Sequence, residues 1–249
     1  MPLRELSLFF PCHNEAENLE ALVADALAAL PALATTYEVI LVDDGSRDAT
    51  ALVAERLVQR HGGLVRLVRH EINRGYGGAL RSGFAAARFE YLAYTDGDRQ
   101  FRVADLARLT ALADAENNPV VIGYRLRRAD PPVRLIYAAV YRLANRVWFG
   151  LNVRDVDCAA KVFHREALRN IRVLSDGAFF SAELLIRLHF KGVPISEVGV
   201  PHYQRTAGSP TGARISVISR AVRDFWSLRV RLWGNRAAAL SRGRALLGE

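Results

Sequence analysis

The chain has 249 residues, of which 51% are hydrophobic and 24% are charged, so it is long enough and apolar enough to bury a substantial core. This composition excludes a mostly disordered chain, because disorder requires low hydrophobicity. Lysine and arginine outnumber the acidic residues by 34 to 26, for a formal charge of +8, and only Lys161 and Lys191 are lysines. A chain this rich in arginine favours anionic partners such as nucleotides, lipid phosphates or nucleic acids.

Short apolar segments alternate with longer helical patterns along the first half of the chain. The segments predicted as strands are Leu6–Pro11, Tyr37–Val42, Leu64–Arg69, Tyr91–Thr95 and Val120–Tyr124. The segments predicted as helices are Glu15–Leu33, Ala49–His61, Gly78–Arg88 and Val103–Ala115. This alternation predicts an α/β fold with a mainly parallel central sheet flanked by helices. The functional loops of such sheets follow the carboxyl ends of the strands.

The pattern changes after Tyr124. The elements predicted there are a helix over Arg134–Phe149, a strand or loop over Asp155–His164, a helix over Phe179–Lys191, a strand over Ile195–Val200 and a long helical pattern from Ile215 onward. No repeat or clear linker interrupts the chain. We therefore expect one domain over residues 1–212 and a basic helical tail over residues 213–249.

Secretion and membrane-spanning signals are not found. The first ten residues carry no apolar core followed by a cleavage site, and no run reaches the roughly 18 apolar residues of a membrane span. Cys12 and Cys158 are the only cysteines, too few for a disulfide scaffold or a cysteine zinc site. We therefore expect a cytoplasmic protein.

Two carboxylates and an amide follow the fourth predicted strand. Asp96 and Asp98 stand on either side of a glycine, and Gln100 comes two residues later. Their oxygens can converge on a hard cation such as Mg²⁺ or Mn²⁺, whose shell a nucleotide diphosphate would complete. The alternative is a solvated Asp-Gly turn.

A second pair of carboxylates ends the second predicted strand. Asp43 and Asp44 there can accept hydrogen bonds from a base or a ribose hydroxyl, although a helix cap and a turn are the alternative. The loop over residues 73–78 resembles a phosphate-cradling glycine loop, but Leu80 stands at the third glycine position. A nicotinamide oxidoreductase is therefore the weaker interpretation.

Taken in order, these motifs resemble the family 2 inverting glycosyltransferases of GT-A fold. The segments that carry the resemblance are Phe10–Glu15, Val42–Ser46, Asn73–Gly75 and Asp96–Gln100, and the later run Asp155–Phe163 is similar to the acceptor-side motif of the dolichol-phosphate mannose synthase branch. The resemblance covers roughly residues 5–212, and the ordered set is far more specific than any single motif.

The resemblance implies transfer of a sugar from GDP-mannose or a UDP-hexose to a polyprenyl phosphate of dolichol or undecaprenyl type, with inversion at the anomeric carbon. It assigns the nucleotide-sugar to Pro11, Asn14, Glu15, Asp43, Asp44, Arg74 and Asp96. It assigns the metal, Mg²⁺ or Mn²⁺, to Asp96, Asp98 and Gln100, and catalysis to Asp98 and Asp157. The acceptor phosphate is assigned to Arg125, Arg134, Arg205 and Ser209.

This chain departs from that branch at several positions. Gly97 stands where alanine is common, Tyr76 where a lysine is common, and Cys158–Lys161 where members commonly carry Ser-Gly-Phe-Arg. Two alternatives therefore stay open, namely the same chemistry on a hydroxyl of a saccharide, lipid or secondary metabolite, and a non-catalytic nucleotide- or lipid-binding domain.

The acceptor decides whether a general base is needed. A phosphate monoester has a second pKa near 6, so it is mostly a nucleophilic dianion at neutral pH. A hydroxyl acceptor, by contrast, requires a positioned carboxylate to remove its proton. With a lipid-phosphate acceptor we expect replacement of Asp157 by asparagine to impair the reaction less than the same replacement of Asp98.

The tail over residues 213–249 interleaves arginines with Phe225, Trp226 and Trp233. This pattern predicts an amphipathic helix lying in a lipid interface, which would make the protein peripheral to the inner face of the cell membrane. The alternative is a helix that packs on its own domain or on a second copy in a homo-oligomer. No nucleic-acid-binding motif occurs, so nucleic acid is not an expected partner.

Overall fold

The computed structural model describes residues 2–126, 132–204 and 215–247, with side chains over 2–126, 137–204 and 217–233. The strands in this part are β1 (Leu3–Cys12), β2 (Ala34–Asp43), β3 (Val65–Arg69), β4 (Tyr91–Tyr94), β5 (Val120–Arg125), β6 (Lys161–His164) and β7 (Ile195–Val200). They form one sheet in the order β3-β2-β1-β4-β6-β5-β7. The predicted α/β fold is confirmed.

The helices confirm most of the predicted pattern. They are α1 (Ala16–Leu33), α2 (Thr50–His61), α3 (Tyr76–Ala86), α4 (Ala107–Thr110), α5 (Pro132–Phe149), α6 (Arg165–Leu168), α7 (Phe180–Phe190) and α8 (Ile215–Leu247), with 3-10 turns at Gly62–Leu64 and Val103–Leu106. The helix predicted over Val103–Ala115 is shorter than expected. It ends early because Asp114 accepts the backbone N–H groups of Glu116 and Asn117, at 3.0 and 2.8 Å, and so forms a local turn.

Strand direction decides which loops meet. Strand β1 pairs parallel with β2 and β4, whereas β6 pairs antiparallel with both β4 and β5. The carboxyl ends of β1, β2, β4 and β5 therefore lie along the same edge of the sheet as the amino end of β6. The segment that leads into β6, at residues 151–160, arrives at this edge too.

Beneath this edge lies an aromatic core. The ring of Phe9 stacks with that of Tyr94 at a centroid distance of 5.3 Å and meets Phe84 edge-on at 5.0 Å. Phe84 also contacts Phe163 at 5.4 Å. A β-carbon at Gly83 would lie 2.2 Å from the Phe9 ring, so this glycine lets α3 approach β1 closely. The rings tie β1, β4 and β6 to α3 directly below the loops.

Helix α8 packs on α5. Phe225 contacts Phe149 at a centroid distance of 4.9 Å, and Trp226 contacts Trp148 at 5.1 Å. Phe225 and Leu228 are 7% and 2% exposed and belong to the core, so part of the predicted tail is integrated into the domain. Within the described residues, no helix combines the length and apolarity needed to cross a membrane.

Candidate active site

The loops after β1 and β2 are bonded to each other. The backbone N–H of Asn14 donates to the Ser46 hydroxyl at 2.9 Å, and the Asn14 side-chain oxygen accepts the N–H of Arg47 at 2.8 Å. Asn14 has a φ of 57°, a left-handed conformation that asparagine tolerates well. Glu15 donates its N–H to Thr50 at 2.8 Å. Pro11 pairs with Val42 at the carboxyl ends of β1 and β2, so the predicted donor-side residues share one edge.

The two carboxylates after β2 have different environments. Asp44 is buried, and its Oδ1 accepts the Arg74 N–H at 2.8 Å and contacts His70 Nδ1 at 2.7 Å. Asp43 accepts the Ser46 N–H through Oδ1 at 3.1 Å. Its buried Oδ2 accepts no hydrogen bond from the described residues, and Arg69 Nε is 3.8 Å away. Asp44 therefore organises the loops, whereas Asp43 retains an acceptor for a ligand.

An open groove lies beside these carboxylates. It has a volume of about 400 Å³ and is lined by Gly45, Ser46, Arg69, His70 and Glu71. Gly45 has a φ of 63°, and a β-carbon there would lie 2.6 Å from the Asn73 nitrogen. The groove is therefore formed by backbone packed too tightly at this point for any larger residue.

The glycines after β3 serve a packing role that the sequence does not reveal. Gly75 has a φ of 83°, and a β-carbon there would lie 2.5 Å from the carbonyl oxygen of Asp176. Gly77 donates its N–H to the same oxygen at 2.9 Å. These glycines let the loop that carries Arg74 lie against residues 175–176, which accounts for them without a phosphate cradle.

A buried carboxylate supports that contact from the other side. Glu183 accepts the backbone N–H groups of Leu174 and Ser175, at 3.1 and 2.9 Å, and the side chain of Arg187 at 2.8 Å. Burial by itself would raise its pKa, but the hydrogen bonds from Ser175 and Arg187 lower it below the usual value. Glu183 is thus held ionised and fixes residues 174–175 beneath the glycine loop.

Asp96 is bound by a tyrosine from α3. The Tyr76 hydroxyl donates to Asp96 Oδ1 at 2.8 Å. Burial, together with the charge of Asp96, raises the pKa of Tyr76 well above its ordinary value, so the hydroxyl stays protonated and remains a donor. The residue at the position where the resembling branch commonly carries a lysine therefore orients a predicted metal ligand.

Asp98 and Gln100 lie on a tight loop. Asp98 is 5% exposed, and its Oδ1 accepts the Gln100 N–H at 3.1 Å. Between them Arg99 has a φ of 60°. Gln100 exchanges two hydrogen bonds with the backbone of Tyr203: its carbonyl accepts the Tyr203 N–H at 3.0 Å, and its Nε2 donates to the Tyr203 carbonyl at 3.3 Å. The sequence assigned no role to Tyr203.

Gly97 brings this loop against the end of β1. A β-carbon at Gly97 would lie 3.1 Å from both the Pro11 carbonyl oxygen and Cys12 Sγ, closer than a side chain ordinarily comes. This close approach explains why the chain carries glycine at this position. It also places the Asp96–Gln100 loop directly beside the donor-side residues of β1.

The donor set of this loop fits a hard divalent cation. Among the described residues no group of three or more His, Cys, Asp or Glu side chains is arranged to hold a metal ion by itself. Mg²⁺, however, usually takes only one or two protein carboxylates and completes its shell with water and phosphate oxygens. Asp96, Asp98 and the Gln100 amide oxygen are the ligand types such a site uses.

A buried ion pair lies at the turn that is predicted to face the acceptor. The Arg125 guanidinium, at the end of β5, donates to Asp155 through Nε and Nη2 at 2.7 and 2.9 Å. Burial alone would lower the pKa of Arg125, but Asp155 raises it above its ordinary value. The arginine predicted to bind the acceptor phosphate therefore uses one edge of its guanidinium on the protein itself.

Asp157 stands on the same turn. The residue presents exposed surface, and desolvation by the surrounding protein, together with the charge of Asp155, raises its pKa from 3.8 to about 6. Lys161 and Arg125 act in the opposite direction. Burial, with the charge of Asp157, also raises the pKa of Tyr141 on α5. The residue pattern does not predict this neighbour, because it does not show how α5 and the turn pack against each other.

The side chains of three of the four predicted acceptor residues lie outside the part of the chain that the structure describes. Arg134 lies in the first turn of α5, but its side chain is outside the described residues. Arg205 and Ser209 fall outside the described residues altogether. Their assignment to the acceptor phosphate stays a prediction.

Comparison with known proteins decides the family. The model of Glycosyl transferase family 2 matches residues 7–172, well over half of the chain. The chain belongs to this family. The resemblance seen in the motifs is thereby confirmed, and the matched residues contain most of β1, all of β2 to β6 and every residue predicted to bind the nucleotide-sugar or the metal.

The chain is similar to two kinds of lipid-phosphate glycosyltransferase. It is 34% identical over 218 residues to the dolichyl-phosphate beta-glucosyltransferase of Homo sapiens, covering 80% of this chain and 67% of that protein. It is 30% identical over 210 residues to the dodecaprenyl-phosphate galacturonate synthase of Rhizobium johnstonii, covering 82% of this chain but only 60% of that protein. The chain thus spans part of the length of both relatives.

A solved structure with the same fold is glucosyl-3-phosphoglycerate synthase from Mycobacterium tuberculosis in complex with phosphoglyceric acid. It superimposes with a TM-score of 0.72 over 90% of this chain and 79% of that chain, at 20% identity. At this identity the likeness shows the fold. The GT-A fold implied by the motifs is confirmed.

Proposed function

We propose that this family 2 glycosyltransferase transfers a sugar from a nucleotide-sugar to a polyprenyl phosphate, with inversion at the anomeric carbon and with a bound divalent metal. One observation carries the proposal. The Asp43 loop, the Asp96–Gln100 loop and the Asp155–Asp157 turn all lie at one edge of the sheet, because β6 runs antiparallel to its neighbours. The names of the relatives support a polyprenyl-phosphate acceptor.

The donor nucleotide is proposed to bind across the ends of β1, β2 and β3. Asp43 Oδ2, buried and without a hydrogen bond from the described residues, suits an N–H group of the base, and the groove at Ser46 and Arg69 gives the base room. Uracil and guanine both offer such an N–H group. The names of the relatives favour glucose or a hexuronic acid over mannose as the sugar.

A divalent metal is proposed to bind between Asp96, Asp98 and Gln100. When bound, it would neutralise the charge that develops on the diphosphate leaving group. The protein prepares this place through three contacts: Tyr76 orients Asp96, the Gln100 N–H orients Asp98, and Tyr203 orients Gln100. Mg²⁺ and Mn²⁺ both suit such oxygen ligands.

The acceptor phosphate is proposed to attack as its dianion beside Asp157. Its second pKa is near 6, and the pKa of Asp157 is also about 6. Because the pKa of Asp157 is raised toward that of the phosphate, a phosphate that arrives as the monoanion can transfer its proton to Asp157. Arg125 contributes charge and fixes Asp155, whereas Arg134, Arg205 and Ser209 are proposed as direct phosphate ligands.

We propose that α5 and α8 together lie on the membrane surface. Among the described side chains, the exposed apolar ones on these two helices are Tyr137, Val140, Leu143, Val147, Trp148, Ile218, Val222, Trp226, Val230 and Trp233. All except Trp148 recur every three or four residues and so share one stripe on each helix. Arg229 lies over the rings of Trp148 and Trp233, at 5.6 and 4.6 Å. Arginine and tryptophan on an apolar stripe suit the anionic inner face of the cell membrane.

The catalytic proposal is tested with purified protein, Mn²⁺ and a panel of UDP- and GDP-sugars. A short-chain polyprenyl phosphate is compared with the matching polyprenol and with free saccharides, and products are identified by mass spectrometry. We expect transfer to the phosphate and none to the alcohol. Transfer to a hydroxyl would establish the alternative acceptor, and nucleotide binding without any transfer would indicate a binding domain.

The membrane proposal is tested with liposomes that contain anionic lipid. Trp226→Glu, which places a charge in the apolar stripe, should reduce co-sedimentation several-fold. Leu52→Glu on α2 is the matched control, because Leu52 is 49% exposed and Trp226 46%, and it should leave binding unchanged. Equal binding of liposomes by both variants would contradict the proposal. If the wild type instead forms a dimer that Trp226→Glu weakens, this face would be assigned to a second copy of the chain.

A further inference from the structure

A buried ammonium group lies next to the acceptor-side turn. Lys161 begins β6 and is fully buried, although only two of the 34 basic residues are lysines. A buried charge destabilises a protein unless polar partners compensate it. A lysine buried at this position therefore indicates a specific structural role for its charge.

The hydrogen-bond partners of Lys161 show what this role is. Its Nζ donates to the backbone carbonyls of Val156, at 3.1 Å, and of Cys158. These two carbonyls belong to the residues on either side of Asp157. The ammonium group therefore holds the backbone of the turn at both neighbours of the carboxylate that faces the acceptor.

Lys161 is itself fixed by the sheet. It pairs with Tyr94 of β4 and with Ile122 of β5, and its Nζ lies 5.5 Å from the centroid of the Tyr94 ring. Burial by itself would lower the pKa of Lys161, but Tyr94 and its other neighbours raise it, so the side chain stays charged. The turn is thus connected through one cation to the centre of the sheet.

The charges around Asp157 favour a second effect. The titratable groups that act on Asp157, or on which it acts, are Asp155, Lys161, Arg125 and Tyr141. Both Lys161 and Arg125 lower the pKa of Asp157, and the effect of Lys161 is the larger of the two. Arg125 is also held in a bidentate pair with Asp155, so Lys161 is the cation whose hydrogen bonds go to the Asp157 turn itself.

We propose that Lys161 is a positioning residue for this reaction: it fixes the turn that carries Asp157 and supplies the positive charge that keeps this carboxylate ionised at the acceptor. The inference rests on the proposed function, since it assumes that Asp157 faces the acceptor phosphate. It assigns no contact between Lys161 and substrate.

The test compares Lys161→Met, which removes the charge, with Lys161→Arg, which keeps it. The first readout needs no turnover: carboxyl-carbon NMR titration of Asp157, identified by the signal that is lost in Asp157→Asn. We expect the pKa of Asp157 to rise in Lys161→Met and to stay near its original value in Lys161→Arg. One unit of increase would lower the ionised fraction at pH 7 from about nine-tenths to about one-half.

The second readout is kinetic. In Lys161→Met we expect kcat/KM for the polyprenyl phosphate to fall about tenfold or more at pH 7, mainly because the turn loses both of its contacts with Lys161. About twofold of this loss, the part that follows from protonation of Asp157, should be recovered toward pH 8.5. Lys161→Arg should restore most of the activity. Binding of UDP or GDP with Mn²⁺, measured by calorimetry, should stay unchanged in both variants, because the Lys161 ammonium group donates its hydrogen bonds to the Asp157 turn.

Each remaining outcome is decisive. An unchanged Asp157 titration in folded Lys161→Met overturns the proposal, whatever happens to activity. If Lys161→Met does not fold, Lys161→Gln keeps a side-chain donor without the charge, and failure of both to fold would mean that Lys161 serves stability alone. The pKa of Asp157 could also rise as expected in Lys161→Met while the wild-type protein transfers no sugar. This result would refute the proposed function but support the electrostatic role of Lys161.

Discussion

The Arg125 guanidinium and the Asp155 carboxylate form a two-bond fork, with N–O distances of 2.7 and 2.9 Å. Both side chains are largely buried, at 14% and 8% exposure. This pair connects the end of β5 to the turn before β6, and the same turn carries Asp157. An arginine that the family resemblance assigns to the acceptor phosphate therefore also shapes the turn that carries Asp157.

Because Arg125 and Asp155 form a buried pair, we expect removal of either partner to reduce the stability of the protein strongly. Arg125→Ala removes the bidentate cationic partner of a buried carboxylate, so we expect the free energy of unfolding to fall by about 3–5 kcal/mol. Denaturant titration measures this. Arg169→Ala is the control, because its ion pair with Glu166 is 72% and 65% exposed and should contribute at most about 1 kcal/mol. A similar small loss in both variants would mean that Arg125 is free to serve the acceptor alone.

The two catalytic assignments predict unequal losses. Asp98→Asn removes the charge of a proposed metal ligand, so transition-state stabilisation should fall by several kcal/mol, on the order of a thousandfold in kcat/KM. Asp157→Asn should reduce the rate less, because a phosphate dianion needs no general base. Initial rates with matched donor saturation measure both. Abolished turnover in Asp157→Asn with intact nucleotide binding would contradict the dispensable-base argument.

The pKa of Asp157 predicts how stability depends on pH. Because the folded pKa of about 6 lies above the ordinary 3.8, the native state binds more protons than the unfolded state between these values, and stability falls as the pH rises through this window. Asp157→Asn removes this loss. We expect its Tm to exceed that of the wild type above pH 6 and to match it below about pH 4, as followed by circular dichroism in metal-free buffer. The same increase at every pH would show that the carboxylate charge is not its cause.

Because the glycine loop lies against residues 175–176, we expect the addition of one methyl group to this loop to reduce stability. Gly77→Ala would place a β-carbon 2.7 Å from the Ser175 carbonyl oxygen, so we expect a loss of about 1–3 kcal/mol in stability. We also expect weaker nucleotide binding, since the loop carries Arg74. Gly63→Ala is the control, because a β-carbon there meets nothing within 4 Å. Unchanged stability in Gly77→Ala would mean that the loop can shift freely.

Much of the fold is readable in the sequence because its signals are local. Near-continuous apolar segments alternating with helical patterns predict a parallel sheet covered on both faces, and β1 is indeed buried along most of its length. The ordered carboxylate motifs at the ends of β1, β2 and β4 likewise indicate the donor side. The family follows from these motifs, since each one needs particular residue types at a particular strand end.

The local signals are weakest where partners lie far apart in the chain. The contact of Gly75 with Asp176, the bonds between Gln100 and Tyr203 and the donation from Tyr76 to Asp96 join segments 20 to 103 residues apart. Residue pattern predicts which segment forms a strand or a helix, but it does not predict which loops will meet. The sequence suggested a phosphate cradle for the glycines because that explanation needs no distant partner.

The sequence by itself determined the α/β class, the donor-side motifs and the residue types that suit a metal and a diphosphate, because these depend on periodicity and on the chemistry of neighbouring residues. Only the tertiary structure decided that Arg125 binds Asp155, that Lys161 holds the Asp157 turn and that α8 packs on α5. The physical reason is strand direction. The antiparallel β6 brings its preceding turn to the edge where the parallel strands end, and the burial and charge of that edge exist only once the sheet has formed.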